Sequence, residues 1–326
     1  MRGGTQVGRG MLPRMTGPGT TAGTPAYRTS RRPHWQDVSA AARDAVERRL
    51  NARVAAASSA IAGFTSGLAS VLTLDDGRAV FLKGAGPAQE SWLAQAYRRE
   101  AATVAALPSH PVTVPLLWTL DADGWFLAAY EAVAASHPPR PWTQKDAARV
   151  LDTLVGLGAS LTPPPPGIDA PSWVGELGVF VDQLGLLEPR LGPVRTAEIR
   201  ELARRVLLEA PATTLSHDDV RDDNLLLGAD GSVRLVDWSA GLLAPPWFMA
   251  VVAMIAPAAD GVDVRALLAA HPATRDVPTA HVDGVMALHL GYFLGVADLD
   301  EVESSPWLRT HQRWYRDATL RWFERV

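Results

Sequence analysis

Apolar positions along the chain follow two rhythms, and the change between them divides it. In the first part, short β-favouring runs alternate with turn signals. Residues 60–74 and 78–83 flank Asp75-Asp76-Gly77, and residues 112–120 and 125–130 flank Asp121-Ala122-Asp123-Gly124, so each pair reads as a β-hairpin. Two stretches there have helical spacing instead. Val38, Ala42, Val46 and Leu50 mark one face over residues 37–50, with Asp37 near its start and Arg48 and Arg49 near its end, as the helix dipole favours. Leu93, Ala96, Tyr97, Val104 and Leu107 mark a second face over residues 89–107. Glu100 lies on that apolar face, whereas Arg98 and Arg99 point elsewhere. A carboxylate on a buried face needs a partner.

After Pro138-Pro139 the pattern turns mostly helical. Thr143 and Asp146 form a capping signal ahead of Ala147, Val150, Leu151, Leu154, Leu157 and Leu161. Residues 173–191 are apolar but interrupted by Gly175, Gly178 and Gly185, and a cleaner helix follows with Ile199, Leu202, Ala203 and Val206 on one face. Residues 247–255, 281–296 and 307–323 read as further helices. The last carries Trp314, Tyr315, Trp322 and Phe323, a stripe suited to core packing, and His289 reads as a core histidine. Asp298, Asp300, Glu301 and Glu303 read as a solvated acidic loop, although such a cluster would also suit a polycationic ligand. Residues 1–34 are rich in Gly, Thr, Pro and Arg, carry no acidic residue and show no apolar period, so they read as a disordered tail.

Against these runs one stretch stands out as polar. Residues 216–224 read Ser-His-Asp-Asp-Val-Arg-Asp-Asp-Asn, followed by three leucines, turn residues 228–232, an apolar strand over 233–236 and then Asp237. An antiparallel hairpin brings its open ends together. Asn224 should therefore sit beside Asp237, with Asp219 nearby. Hard oxygen ligands on such a scaffold suit Mg²⁺, which takes its remaining ligands from water and substrate phosphates.

Composition narrows the classes. A chain of 326 residues with 47% apolar content is long enough for two lobes. The formal charge of −4 gives no reason to expect a nucleic-acid partner. Without cysteine there are no disulfides, thiolate nucleophiles or cysteine-based zinc sites. The longest uninterrupted apolar run, residues 247–256, is too short to cross a bilayer, and the basic start has no apolar centre of a signal peptide. The expectation is a cytoplasmic protein with no membrane partner; its oligomeric state stays open.

The polar stretch resembles the catalytic loop of the aminoglycoside phosphotransferase family, His-Gly-Asp-x-x-x-x-Asn followed by an apolar residue and Asp-Trp, and through it the protein-kinase-like superfamily. By position, the resemblance makes Asp219 the catalytic carboxylate, Asn224 and Asp237 the metal ligands, and Arg221 a cation near the transferring phosphate. Lys83 ends Val-Phe-Leu-Lys, similar to the strand lysine of kinases, and pairs with Glu100 in that scheme. Gly63 to Gly67, with Thr65 and Ser66 between, becomes the loop over the phosphates, and Glu131 to Val133 the hinge that meets a purine base. On its own each of these two stretches reads equally as an ordinary turn or strand end.

The resemblance implies an α+β, bilobal protein-kinase-like fold. Residues 35–131 would be the nucleotide-binding lobe, with a small antiparallel sheet and one key helix, and residues 132–326 the mainly helical lobe carrying the catalytic loop and acceptor site. It further implies ATP or GTP as phosphoryl donor, Mg²⁺ as cofactor and a small hydroxyl-bearing acceptor, aminoglycoside-like or another metabolite. Two positions depart from the family pattern. Asp218 replaces the usual glycine before the catalytic Asp and is expected to point away, and Met249 replaces an Asp that normally braces the loop. They leave open a nucleotide-binding pseudokinase or regulatory protein without phosphotransfer.

Overall fold

The β-favouring runs of the first part form one five-stranded antiparallel sheet. Its strands are β1 (Val54–Ser59), β2 (Leu68–Leu74), β3 (Ala79–Ala85), β4 (Leu116–Ala122) and β5 (Trp125–Glu131), in the order β1-β2-β3-β5-β4. The structure, a computed structural model, describes residues 30–239 and 241–324; the tail expected over residues 1–29 lies outside the described residues. Both expected hairpin turns are present. Gly77 sits at φ +85°, and Asp123 and Gly124 both take positive φ, +48° and +78°, as a two-residue turn matched to the twist of its strands requires.

The interior strand β5 is buried at six successive positions because helices cover both faces of the sheet. On one face Ala42, Val46 and Leu50 of α1 (Ala40–Leu50) pack on Leu72, Leu82 and Leu127. On the other, Leu93, Tyr97 and Ala101 of α2 (Ser91–Ala106) meet Phe126, Ala128 and Tyr130. Helix α1 starts later than its apolar spacing suggested. Ser39 caps it, its hydroxyl accepting from the Ala42 N–H at 3.3 Å, while Asp37 turns back to accept from the His34 N–H at 2.7 Å. Strand β1 lies ahead of the run that begins at Ala60.

The second part is mainly helical. It contains α3 (Gln144–Ser160), α4 (Trp173–Gly178), α5 (Glu188–Glu209), α6 (Phe248–Val252), α7 (Ile255–Ala259), α8 (Val264–Ala270), α9 (Thr279–Val296) and α10 (Leu308–Glu324). Thr143 caps α3 as expected, accepting from the Asp146 N–H at 3.1 Å. The helix expected over residues 247–255 is instead two short ones. Pro257 has no N–H for the Ala253 carbonyl and its ring crowds that carbonyl, so the first helix ends there. Trp173, Met249 and Tyr315 lie in one core that fills this lobe.

Two small sheets hold the loops between the lobes. One has the order β6 (Ala135–Ser136), β8 (Leu225–Gly228), β9 (Val233–Leu235); the other pairs β7 (Thr214–His217) with β10 (Gly241–Ala244). The acidic loop is ion-paired at the surface: Arg316 and Arg313 take Asp298 at 2.7 and 3.5 Å, and Arg313 takes Glu301 at 2.9 Å. Residues 30–34, read as part of the tail, are described, and Ser30 is buried between the lobes.

Candidate active site

A cavity of about 440 Å³ lies where the five-stranded sheet faces the β8–β9 hairpin. Strand β3 runs through the sheet beside α2, and this pairing brings Lys83 to Glu100. Lys83 Nζ donates to Glu100 Oε2 at 2.6 Å and to Asp237 Oδ1 at 2.9 Å, and sits 4.8 Å from the Tyr97 ring centroid. Burial alone would lower the lysine's pKa, but Asp237 and Glu100 together hold it above its usual value. The two carboxylates share this one cation unequally. Burial pushes Glu100 up to about 7 against the pull of Lys83, with Asp237 adding repulsion. Burial also works against Asp237, yet Lys83 brings it down to about 2, so it stays ionised.

The polar loop leaves β7, makes one short turn over Asp222–Asn224 and enters β8. His217 anchors it. Burial depresses its pKa to about 4, so the ring is neutral; its Nδ1 accepts from the Asp219 N–H at 3.1 Å, which leaves Nε2–H to donate to the Val236 carbonyl at 3.1 Å. Leu225 pairs with Leu235, and the Val236 N–H donates to the Asn224 carbonyl at 3.0 Å. The hairpin thus bonds Asn224 to Val236, one residue short of the Asp237 expected beside it. Asp237 itself takes φ +67°, a left-handed conformation that Asp tolerates better than most residues.

Asn224 uses its amide nitrogen on Asp219, donating to the carbonyl at 2.8 Å and to Oδ2 at 3.1 Å. Its amide oxygen is then the atom that could serve as a ligand. Burial raises Asp219 to about 6 although Arg221, at 2.8 Å, pulls it down; its side chain keeps 37% exposure, and that contact with water favours the ionised form. Arg221 also pairs with buried Asp223 at 3.1 Å. Asp218 is pushed up to about 7 by burial, with Asp219 and Glu176 adding repulsion, and it does not line the cavity.

Position 249 holds no carboxylate to meet the loop. Met249 is fully buried in the helical core. Asp222 of the polar loop accepts from Arg140 at 2.6 Å and from the Tyr315 hydroxyl at 2.8 Å. Arg140 is held in turn by both oxygens of Asp260, at 2.6 and 2.8 Å, and by the face of Trp314 at 4.4 Å.

Above the cavity the expected phosphate loop curls over residues 63–67. Gly63 has φ +87°, and Gly67 packs so closely that a Cβ there would lie 2.4 Å from the Tyr97 hydroxyl. Thr65 Oγ1 bonds that hydroxyl at 3.1 Å. Phe64, at the tip, reaches the other lobe, with its ring 4.6 Å from that of His311 and 5.9 Å from the Arg221 guanidinium. At the hinge, the Glu131 N–H donates to Pro115 O at 3.1 Å and Val133 O accepts from Ala135 N–H at 3.0 Å. Among the described residues the Val133 N–H has no hydrogen-bond partner.

Gly63, Thr65, Lys83, Glu100, Glu131, Val133, Asn224 and Asp237 all line this one cavity. Asp219 and Arg221 stand next to it, joined through Asn224, while Ser66 and Gly67 shape the loop without lining it. Sequence reasoning missed Arg140, Tyr97, Asp223 and Arg32, whose side chain also lines the cavity. Tyr97 was visible only as a member of the apolar stripe; Arg140 and Arg32 carry no local signal. Among the described residues no group of three or more His, Asp or Glu side chains could hold a metal ion. The ionised Asp237 and the Asn224 amide oxygen do fit Mg²⁺, which is commonly held by one or two protein oxygens plus substrate phosphates.

A two-lobed fold with a lysine–glutamate pair above and a His-x-Asp loop below is that of the protein-kinase-like phosphotransferases. The sequence profile of the phosphotransferase enzyme family (APH) matches residues 59–279, and the chain belongs to that family. No curated protein matches the sequence. Among solved structures, choline kinase LicA from Streptococcus pneumoniae is similar at a TM-score of 0.56 and 11% identity, over 87% of this chain and 99% of that one. A putative fructosamine-3-kinase from Haemophilus somnus gives 0.54 and 11%, over 88% and 97%. A thermostable mutant of aminoglycoside phosphotransferase APH(4)-Ia, in complex with ADP and hygromycin B, gives 0.53 and 12%, over 86% and 97%. At such identities the likeness is one of fold. No helix among the described residues is long and apolar enough to cross a membrane.

Proposed function

We propose that this chain transfers the γ-phosphate of ATP or GTP to a hydroxyl of a small molecule. The observation that carries this reading is the joining of Lys83, Glu100, Asp237 and Asn224 around one cavity, with Asp219 bonded to Asn224. The base would lie in the slot between the sheet and the β8–β9 hairpin, with its edge on the Val133 N–H. Lys83, oriented by Glu100, neutralises phosphate oxygens. Asn224 and Asp237 would hold Mg²⁺, which supplies charge neutralisation on those oxygens when bound. Asp219 orients the acceptor hydroxyl and accepts its proton. Arg221 keeps Asp219 in place and sets a positive charge beside the transferring group. Catalysis of this kind is positioning and electrostatics.

The Arg140–Asp222–Tyr315 brace favours an active enzyme over a pseudokinase, because it does the work of the absent Asp at position 249. The acceptor class is tested by incubating the purified protein with Mg²⁺, ATP or GTP and a panel that includes hygromycin B, choline and a fructosamine. Phosphorylated product with wild type, and a loss of about a hundredfold or more in Asp219→Asn, supports the reading. Undiminished turnover in Asp219→Asn removes that residue from its role.

A further inference from the structure

Residues 30–32 run as a strap between the lobes. The Ser30 N–H donates to the Gly63 carbonyl at 3.2 Å and its hydroxyl meets that of Ser305 at 3.1 Å; the Arg31 N–H donates to the Ser304 carbonyl at 2.8 Å. The next residue, Arg32, turns into the curl of the phosphate loop. Its Nη1 donates to the Gly67 carbonyl and its Nη2 to the Ala62 carbonyl, each at 3.1 Å, so the guanidinium bridges the two ends of the loop. Room for it exists because residue 63 is glycine: a Cβ there would lie 2.8 Å from Nη2.

Charge says what this cation is for. Among the described residues lining the cavity, Arg32 and Lys83 are the two of permanent positive charge, facing the carboxylates of Glu100, Glu131, Asp223 and Asp237. Lys83 is already engaged by two of those four. A polyanion entering here would meet net repulsion from the side chains unless a second cation met its phosphates. A guanidinium is a planar fork of N–H donors suited to phosphate oxygens, and here it is held in place by the two loop carbonyls and the Tyr97 hydroxyl.

We propose that Arg32 is a donor-binding residue: the strap delivers its guanidinium beneath the phosphate loop, where it contacts the phosphates of the nucleoside triphosphate. This rests on the reading of the cavity as the donor site. It gives the segment just ahead of the first helix a part in substrate binding.

The test is calorimetric titration of the full chain with Mg²⁺-ATP and Mg²⁺-GTP, and with adenosine and guanosine, for wild type, Arg32→Gln and Arg32→Lys. The expected result is a loss of about tenfold or more in triphosphate affinity for Arg32→Gln, partial recovery in Arg32→Lys, and nucleoside affinity unchanged within about twofold. Unchanged or tighter triphosphate binding in Arg32→Gln overturns the proposal, the latter showing that the arginine occludes the site. An equal loss for triphosphate and nucleoside also overturns it, since the arginine would then only shape the loop. A wild type that binds no nucleotide defeats the reading of the cavity itself, and the proposal with it.

Discussion

Lys83 holds Asp237 at 2.9 Å while Glu100 grips the same ammonium at 2.6 Å from the other side. Removing the lysine as Lys83→Met would leave buried Glu100 facing Asp237, whose side chain is 30% exposed, at a cost of about 3 kcal/mol. The penalty depends on pH in a definite direction. Glu100 stands at about 7 in the folded protein against an ordinary 4.5, and loses a downward pull when the lysine goes. The folded variant therefore binds a proton there that the unfolded chain releases, so its stability recovers as pH falls through about 7 and is lost as pH rises. Urea unfolding at about pH 8 and about pH 5.5 checks this. A deficit of equal size at both values contradicts the sharing of one cation by two acids.

The brace on the catalytic loop makes a different demand. Arg140 satisfies Asp222 and Asp260 together, and the side chains of all three are no more than 9% exposed. Arg140→Leu should cost about 3–5 kcal/mol by stranding two buried carboxylates. Tyr315→Phe removes one charge-assisted bond and the acceptor of the Asp222 N–H at 3.2 Å, and should cost about 1.5–3 kcal/mol. In Tyr315→Phe, turnover should fall more than nucleotide affinity, because Asp222 belongs to the catalytic loop and not to the cavity wall. Equal losses in both would detach the brace from the chemistry.

His289, buried in α9, titrates in the opposite sense. Burial depresses it to about 4 from an ordinary 6.5, while its Nδ1–H donates to the Val285 carbonyl at 2.9 Å. Below about pH 6.5 the unfolded chain takes up a proton that the folded chain refuses, so stability is lost as pH falls towards 4. The difference amounts to about 3 kcal/mol over that window. His289→Asn keeps a donor near Val285 and does not titrate. Its unfolding free energy should drop less between about pH 7 and 4.5 than that of wild type, and parallel curves would contradict the assignment.

At position 67 the loop over residues 63–67, proposed to cover the phosphates, tolerates only glycine. A Cβ there would lie 2.4 Å from the Tyr97 hydroxyl and 2.7 Å from the Gly84 carbonyl, which is backbone of β3 and cannot swing aside. Gly67→Ala should destabilise the protein by about 1–3 kcal/mol and weaken nucleotide binding, as read by melting temperature and titration. Gly231→Ala, at a turn with nothing within 4 Å, is the control that should leave nucleotide affinity unchanged.

Much of the site was legible in the chain because the chemistry sits where periodicity and turns are strongest. Glu100 showed itself as an acid on an apolar face, and the hairpin over residues 225–235 placed Asn224 next to the start of Val236-Asp237. What escaped was held by contacts distant in sequence. Arg140 reaches Asp222 and Asp260 across 82 and 120 residues, and no local pattern announces such a partner. Strand β1, Val-Ala-Ala-Ala-Ser-Ser, was passed over because its alanines and serines favour strands weakly; it is an edge strand kept by pairing with β2. The helix expected over residues 247–255 was read from unbroken apolarity, which does not register a proline two residues beyond its end.

The most direct test is thermal unfolding of wild type and Asp237→Asn with and without Mg²⁺-ATP and Mg²⁺-GTP. Ligand at about a hundred times its dissociation constant adds roughly 2.7 kcal/mol, a rise of a few degrees for a protein of this size. The expected result is a rise in wild type with at least one nucleotide, dependent on Mg²⁺ and lost in Asp237→Asn. No rise with either nucleotide at millimolar concentration, or an equal rise in Asp237→Asn, would contradict a metal–nucleotide site built on Lys83, Asn224 and Asp237.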